Sequence, residues 1–161
     1  REVMEAKGLT ADAAYSVQMP NTYVIFPGFD VDKPEVEQRK LSAAPQAVDA
    51  LCRRIEAMEK GDFTHHGSVA WLKSRIIYPW FMLHVDDRQF TTTDACVGCG
   101  RCATACPTAN ITISSHKPQW HGDCLNCLAC YHTCPHHAVT FGRRTHGKGQ
   151  YTCPDNKSTS K

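Results

Sequence analysis

The chain has 161 residues, enough for one ordinary domain or for one small domain and part of another. It is 42% hydrophobic and 21% charged, a composition typical of folded domains and not of fibrous or disordered chains. Its net charge of +2 is too small to indicate nucleic-acid binding, and its longest apolar run, residues 76–83, is too short for a membrane-spanning helix of roughly 20 residues.

The first region, residues 1–62, is predicted to contain short helices and strands. Residues 1–7 have helical character, residues 13–17 are typical of a strand, and Pro34 fits the first turn of a second helix. Apolar residues then recur at helical spacing: Val48, Leu51, Cys52, Ile55 and Met58. This order predicts an α/β segment with too few strands for a complete sheet. Because the chain begins inside a predicted helix, we expect the rest of the sheet to precede Arg1.

The second region, residues 63–89, is rich in aromatic side chains and histidine. Its most apolar part, residues 68–85, allows two interpretations. It is either an aromatic connector that packs between the two halves of the chain, or a segment that lies on a membrane surface with Lys73 and Arg75 at the lipid headgroups. We expect the connector, because two aspartates follow the apolar stretch directly and its polar face is narrow.

The third region, residues 90–145, contains eight of the ten cysteines, and a polar tail, residues 146–161, follows it. The eight cysteines form two copies of the pattern C-x2-C-x2-C-x3-C-P, and each cysteine of the first copy recurs 28 residues later. The first copy is Cys96, Cys99, Cys102 and Cys106, and the second is Cys124, Cys127, Cys130 and Cys134. Two copies of one unit predict a domain with pseudo-twofold symmetry.

This spacing favours iron–sulfur clusters over other uses of cysteine. Three cysteines at short intervals can curl around one compact cluster, and small residues such as Gly98, Gly100 and Ala129 ease that curl. Thiolates are also the soft ligands that such clusters require. Two alternatives stay open. Zinc sites usually use two separated C-x2-C pairs, and disulfides need an oxidising compartment, whereas no secretory signal is visible in this sequence.

Two cysteines lie outside the repeated pattern. Cys52 lies on the apolar stripe of the predicted helix, where we expect a buried structural thiol. Cys153 precedes Pro154 and so resembles the end of the motif, but eight thiolates already complete two clusters. We therefore expect that Cys153 does not bind metal.

Residues from about 90 to 151 resemble the two-cluster domain of bacterial ferredoxins, which carry this cysteine run. Segments 96–102, 118–120 and 124–132 further resemble fusion proteins in which a flavodoxin-like domain precedes the ferredoxin module. Residues 16–21 resemble the late flavin-side loop of the flavodoxin half. In that family the phosphate-binding loop and the first strands come earlier in the chain, and this sequence does not contain them.

The resemblance implies an α+β fold, in which a ferredoxin-like βαββαβ domain at residues 90–145 follows a partial flavodoxin-like α/β segment. Strands are expected near residues 89–92, 110–114, 117–120 and 139–141, and short helices are expected to begin near Thr104 and Thr133. The resemblance also implies two 4Fe–4S clusters. By resemblance alone, Met19, Pro20, Asn21 and Tyr23 are expected to face an FMN that binds only in the full-length protein.

We expect the cluster ligands to cross between the two copies. The fourth cysteine of each copy is predicted to begin a helix that runs away from its own loop and, under the pseudo-twofold, toward the other loop. One cluster would then be bound by Cys96, Cys99, Cys102 and Cys134, and the other by Cys124, Cys127, Cys130 and Cys106. In the alternative, local closure, Cys106 and Cys134 serve their own copies.

These features predict an electron carrier with two 4Fe–4S clusters and a flavin or redox protein as its partner. No catalytic residue is predicted, because thiolates fill all eight ligand positions. Two alternatives are the internal wire of a flavin-dependent oxidoreductase whose catalytic half lies upstream, and a cluster-stabilised binding module. Whether the whole protein is an enzyme stays open, and the expected location is cytoplasmic.

The charge of the cysteine region does not favour the binding module. Residues 91–161 have seven Lys and Arg against three Asp and Glu, a net charge of +4. Two oxidised clusters with their thiolates would add about −4, which removes most of this charge. No nucleic-acid partner is therefore expected.

Overall fold

The structure is a computed structural model that describes residues 2–67, 69–84 and 86–154. The chain divides into two compact units. The first unit comprises Arg1–Pro20 and Asp32–Trp71, and the second comprises Asn21–Val31 and Leu72–Lys161. No helix of the described residues is long and apolar enough to cross a membrane.

The first unit contains a short helix, α1 (Glu2–Glu5), a long helix, α2 (Pro34–Glu56), and two strands, β1 (Ala13–Tyr15) and β2 (Gly61–Phe63). The strands pair in parallel, with Ala13 opposite Gly61 and Tyr15 opposite Phe63. A parallel pair needs a crossover, which the chain through α2 provides. The rings of Tyr15 and Phe63 stack with their centroids 5.4 Å apart.

Helix α2 is longer than the apolar spacing predicts and is not packed into a core. It begins at Pro34, with Glu35 and Glu37 in its first turn and Arg53 and Arg54 in its last, an order that complements the helix dipole. None of its residues is buried. The expectation of a buried thiol at Cys52 is therefore wrong, since this side chain is exposed.

A helical segment leads into the cysteine region. It consists of α3 (Ala70–Leu72), a π-helical turn (Lys73–Ile77) and α4 (Tyr78–His84). The side chains of Ile76, Trp80 and Leu83 are exposed. These large apolar side chains are not buried within the second unit, and the connector between the two halves stays a prediction.

The cysteine region has the element order β3 (Phe90–Thr92), α5 (Arg101–Thr104), β4 (Ile111–Ser114), β5 (Lys117–Trp120), α6 (Ala129–His132) and β6 (Val139–Phe141). Strands β3 and β6 are antiparallel, with Phe90 opposite Phe141. Strands β4 and β5 form a hairpin, and its turn residues Ser115 and His116 both have positive φ, the conformation of a two-residue hairpin turn. All four strands begin and end within one residue of their predicted positions.

The two short helices differ from the prediction. They end at Thr104 and His132, before the fourth cysteine of each copy, whereas they were expected to begin near Thr104 and Thr133. The reason is local: Cys106 and Cys134 each precede a proline, and the residue before proline is disfavoured in the α conformation. The fourth cysteine therefore follows its helix and does not start it.

The core of the second unit includes residues from outside the cysteine region. Phe141 is fully buried and meets Phe90 edge to face at 4.7 Å between ring centroids. Val24 and Ile25 are also fully buried and belong to the same cluster. Segment 21–31 thus packs with the cysteine region, although composition assigned it to the first region of the chain.

Hydrogen bonds attach both ends of this unit to helix α6. Nδ1 of His132 accepts a hydrogen bond from the Tyr151 N–H at 3.1 Å. The proton of the neutral ring is therefore on Nε2, which donates to the Thr22 carbonyl at 2.6 Å. Burial lowers the pKa of His132, against the smaller opposing effect of the Thr22 carbonyl. Lys148 Nζ donates to the carbonyls of Val24 and Phe26. The described part of the predicted tail is therefore packed and not a solvated extension.

Candidate metal centres

The two cysteine loops curl in the same way. Left-handed backbone occurs at Gly98 and Gly100 in the first loop, and at Asn126 and Leu128, the matching positions 28 residues later, in the second. Glycine adopts this conformation readily, whereas Leu128 must be held in it and is only 1% exposed. Two left-handed residues in each loop turn the chain around the space between the cysteines.

Cysteines from both copies line one cavity. Its walls carry Cys96, Cys99 and Cys102 of the first copy together with Cys134 of the second. Burial raises the pKa of the Cys102 thiol, and the neighbouring Cys134 and Cys96 raise it further against opposing backbone hydrogen bonds. The rest of the lining is mainly glycine and apolar side chains, with Arg101 and His136 as its basic groups. Four thiols in such a lining fit the ligand set of an iron–sulfur cluster.

The remaining four cysteines also approach one another. Burial raises the pKa of Cys124, and Asp87, Cys127 and Cys106 add to the rise. Burial raises the pKa of Cys130 to about 12, with added contributions from Cys124 and Cys127. These thiols must lose their protons to bind iron, so metal binding and proton release are coupled here.

Hydrogen-bond donors point at several of the sulfurs. The Asn126 N–H donates to Cys124 Sγ at 3.3 Å, and the Ala138 N–H donates to Cys134 Sγ at 3.3 Å. At Cys106, burial alone would raise the pKa, but the Thr108 hydroxyl, 3.5 Å away, and nearby backbone N–H groups lower it overall. Donors to sulfur stabilise the thiolate that a cluster needs.

A buried indole N–H lies beside the second group of cysteines. The Trp120 Nε1–H is buried and, among the described residues, has no hydrogen-bond partner of ordinary geometry. Its neighbour is the Cys130 thiol. The N–H lowers the pKa of this thiol, against the larger effect of burial, which raises it. A buried donor is costly to leave unpaired. It fits an acceptor more negative than a thiol, such as a thiolate bound to iron.

The described residues contain no site for a single metal ion. In the described parts of the chain, no three His, Cys, Asp or Glu side chains converge as ligands of one metal ion. A 4Fe–4S cluster makes a different demand, because its four cysteine sulfurs bind four different iron atoms. The donor set of eight thiols fits that demand chemically.

The four residues expected to face a flavin fall in different units. Met19 and Pro20 belong to the first unit, where Met19 is exposed and Pro20 is buried. Asn21 belongs to the second unit and braces a turn: its Oδ1 accepts from the Tyr23 N–H at 3.3 Å and its Nδ2 donates to the Asp30 carbonyl. Burial raises the pKa of Tyr23 to about 12. The flavin assignment of these residues stays a prediction.

Sequence reasoning missed a buried polar network beside the second group of cysteines. The Asp87 carboxylate is 6% exposed and accepts hydrogen bonds from Asn110 Nδ2, 2.9 Å, and the Gly122 N–H, 2.6 Å. Asn110 Oδ1 in turn accepts from the N–H groups of His121 and Asp123. The network fixes the chain that leads into Cys124. Its only signal in the sequence is Asn110, whose matching position in the second copy is Ala138.

Comparison with known proteins agrees with this chemistry. Residues 95–139, which include all eight repeated cysteines, match the family model of the 4Fe–4S dicluster domain. This region is an iron–sulfur domain of the ferredoxin type. The match covers less than half of the chain, and no curated protein and no solved structure matches the chain. The iron–sulfur domain accounts for the cysteine loops, and its chemistry is that of electron transfer.

Proposed function

We propose that this chain transfers single electrons through two 4Fe–4S clusters and exchanges them with a flavin or a flavoprotein. The observation that carries the proposal is the pair of matching cysteine loops, which supply eight thiols within one ferredoxin-type domain. A cluster bound by four thiolates has no open coordination position for a substrate. Electron transfer is the function that such a ligand set supports best.

We propose crossed ligand sets. Cys96, Cys99, Cys102 and Cys134 would hold one cluster, and Cys124, Cys127, Cys130 and Cys106 would hold the other. The cavity that Cys134 shares with the first loop supports this arrangement, as does the electrostatic effect of Cys106 on Cys124. Each fourth cysteine then ties its own copy to the other loop, so cluster assembly and folding of the domain are coupled.

The other side chains around the clusters would set the reduction potential. All-thiolate ligation leaves a negatively charged cluster that resists further electrons, so we expect potentials in the lower part of the roughly −700 to +450 mV range of such clusters. The Arg101 guanidinium, the N–H donors at Cys124 and Cys134, and the Trp120 N–H stabilise negative charge and raise the potential within that part. The donor to Cys124 is the Asn126 N–H within the same loop, whereas the donor to Cys134 is the N–H of Ala138, four residues after that cysteine.

The partner and the setting are part of the same proposal. A flavin would belong to a separate flavoprotein or to the full-length protein, in which Met19, Pro20, Asn21 and Tyr23 would face FMN. The partial flavodoxin-like segment and the cytoplasmic location rest on the sequence alone. If the full-length protein is a flavin-dependent oxidoreductase, the clusters would carry electrons inside it. Substrate turnover that requires flavin would identify such an enzyme.

Anaerobic purification followed by metal analysis tests the proposal. We expect a brown protein with about eight iron atoms and eight sulfides per chain, as two 4Fe–4S clusters require. Voltammetry without substrate is expected to show reversible reduction at low potential. A Cys99→Ser variant should lose about half of the iron, while a Cys52→Ser control should keep all of it. Stoichiometric zinc with little iron, or a single couple well above zero, would contradict the proposal.

A further inference from the structure

An aromatic cavity in the second unit lies outside the cysteine sites. It encloses about 450 Å³, within the roughly 300–1,000 Å³ that small-molecule sites occupy. Four aromatic rings line it: Tyr23, Phe26, Phe29 and Tyr78. The rings of Phe26 and Phe29 meet edge to face with centroids 5.4 Å apart. Sequence analysis did not identify this cavity, because its rings come from segments about 50 residues apart.

Several large apolar side chains of the cavity are exposed to solvent. Tyr78 is 58% exposed and Phe29 is 47% exposed, although both are large aromatic side chains. Leu125, another lining residue, is 66% exposed. Contiguous exposed apolar side chains around a concave site are typical of interaction sites, ligand-binding grooves among them. Aromatic walls favour a flat ring that can lie against them in offset or edge-to-face contact.

The charged group at the cavity is a cation. Lys73 lies on the wall, and none of the described carboxylates pairs with it. The Asn126 side chain is the other strongly polar group of the lining, and none of its described residues is Asp or Glu. A ligand of complementary charge therefore carries an anionic group or a strongly electron-rich edge.

The cavity shares a wall with the second cysteine loop. Leu125 and Asn126 lie between Cys124 and Cys127, and the Asn126 N–H donates to Cys124 Sγ. Burial is the main cause of the raised pKa of Tyr23, and Tyr78 and Cys124 are among the neighbours that add to it. A ring in this cavity would thus lie next to the loop that binds the second proposed cluster. The matching residues of the first loop, Val97 and Gly98, line the first cysteine cavity instead.

We propose that this cavity binds a planar aromatic molecule that carries a negative charge, the class to which flavin phosphates belong. The site differs from the predicted flavin loop, with which it shares only Tyr23. The relevance of its position rests on the proposed electron transfer, because a redox-active ring there would lie beside a cluster. The binding itself depends only on the aromatic walls and on Lys73.

Titration of FMN into the anaerobically purified, cluster-loaded chain tests the proposal, with flavin fluorescence as the readout. We expect saturable quenching by wild-type protein and about tenfold weaker binding by Tyr78→Ala, which removes one aromatic wall. Trp80→Ala is the matched control, since Trp80 lies on the same helix but does not line the cavity. This control is expected to bind FMN like the wild type.

Riboflavin, which has the same ring without the phosphate, tests the role of charge. Lys73→Gln should weaken FMN binding several-fold and leave riboflavin binding nearly unchanged, whereas Lys60→Gln, a surface control in the first unit, should affect neither. Menadione, a neutral quinone, should not displace FMN at equal concentration. Displacement by menadione, or equal weakening of FMN and riboflavin by Lys73→Gln, would overturn the assignment to an anionic ligand.

Iron content measured on the same samples separates the two proposals. No saturable FMN binding by protein that retains about eight iron atoms would overturn the cavity proposal and leave electron transfer intact. Wild-type protein without iron would overturn the proposed function, whatever the result of the titration. Loss of FMN binding in Trp80→Ala as well as Tyr78→Ala would also overturn the site assignment.

Discussion

The loop at residues 96–102 and the loop at residues 124–130 have the same cysteine spacing and left-handed residues at matching positions. The first loop uses Gly98 and Gly100 at these positions, and the second uses Asn126 and Leu128. Cysteine spacing and the curl of the backbone are therefore common to both copies. The residues that produce the curl are not, because each loop meets a different part of the domain.

The surroundings of the two loops explain the difference. Gly98 lies against the β4–β5 hairpin, where a Cβ would come within 2.8 Å of the His116 carbonyl oxygen. In the second loop, Asn126 lines the aromatic cavity and Leu128 is buried in the core. The first loop is therefore held by close backbone contact, and the second by side chains.

The largest effect that this comparison predicts is at Gly98. Gly98→Ala places a methyl group against the His116 backbone and in a left-handed conformation, which together cost about 2–5 kcal/mol. We expect loss of the first cluster, seen as about half of the wild-type iron. Gly100→Ala is the matched control, because its φ is similar but its nearest neighbour is 4.0 Å away. Equal iron loss in both variants would show that the left-handed backbone conformation, and not the contact with His116, causes the loss.

The next effect concerns the buried network of Asp87 and Asn110, which fixes the chain that leads into the second loop. Asp87→Ala leaves the Asn110 amide and the Gly122 N–H without their acceptor, at a cost of about 1–3 kcal/mol. Thermal unfolding should show a lower Tm. Asp86→Ala, at an exposed carboxylate that pairs with Arg88, should change Tm much less. An unchanged Tm in Asp87→Ala would mean that the network does not stabilise the domain.

A smaller effect is expected at Trp120, whose N–H lies beside Cys130. Trp120→Phe removes this donor and keeps a ring that can stack on Phe90. The reduced cluster carries more negative charge, so loss of the donor should lower the potential of the second cluster. A net hydrogen bond of roughly 0.5–1.5 kcal/mol corresponds to roughly 20–60 mV for one electron. Voltammetry measures the shift, with the first cluster as internal control; equal shifts in both clusters would contradict the assignment.

The smallest effect is expected outside the repeats. Cys52 is exposed on helix α2, so Cys52→Ser should change the free energy of unfolding by no more than about 0.5 kcal/mol. Iron content should match that of the wild type. Iron loss in Cys52→Ser would show that a cysteine outside the two loops contributes to cluster assembly.

The sequence predicted the features that are local in the chain. The four strands of the cysteine region, which the resemblance to two-cluster ferredoxins implied, lie within one residue of their expected positions. The helix positions, which the resemblance implied, were wrong: Pro107 and Pro135 disfavour helical backbone at the cysteine before them, and both helices end before that cysteine. The curl of the second loop was attributed to Ala129, although Asn126 and Leu128 adopt the left-handed conformation.

Features formed by distant residues could not be predicted in this way. The bonds of Lys148 to Val24 and Phe26 join residues more than 120 positions apart, and the bond of His132 to Thr22 joins residues 110 apart. No periodicity or motif signals such pairs. Composition therefore marked residues 146–161 as a polar tail and placed segment 21–31 with the first region, whereas both contribute residues that pack in the second unit.

In the proposed crossed arrangement, each fourth cysteine binds the cluster held by the loop of the other copy. Paramagnetic NMR of the cysteine β-protons in anaerobic Cys106→Ser tests it most directly, with Cys134→Ser as the reciprocal variant. Crossing predicts that Cys106→Ser perturbs the resonances of Cys124, Cys127 and Cys130, and that Cys134→Ser perturbs those of Cys96, Cys99 and Cys102. Intact Cys124, Cys127 and Cys130 resonances in Cys106→Ser, with loss confined to Cys96, Cys99 and Cys102, would contradict the account.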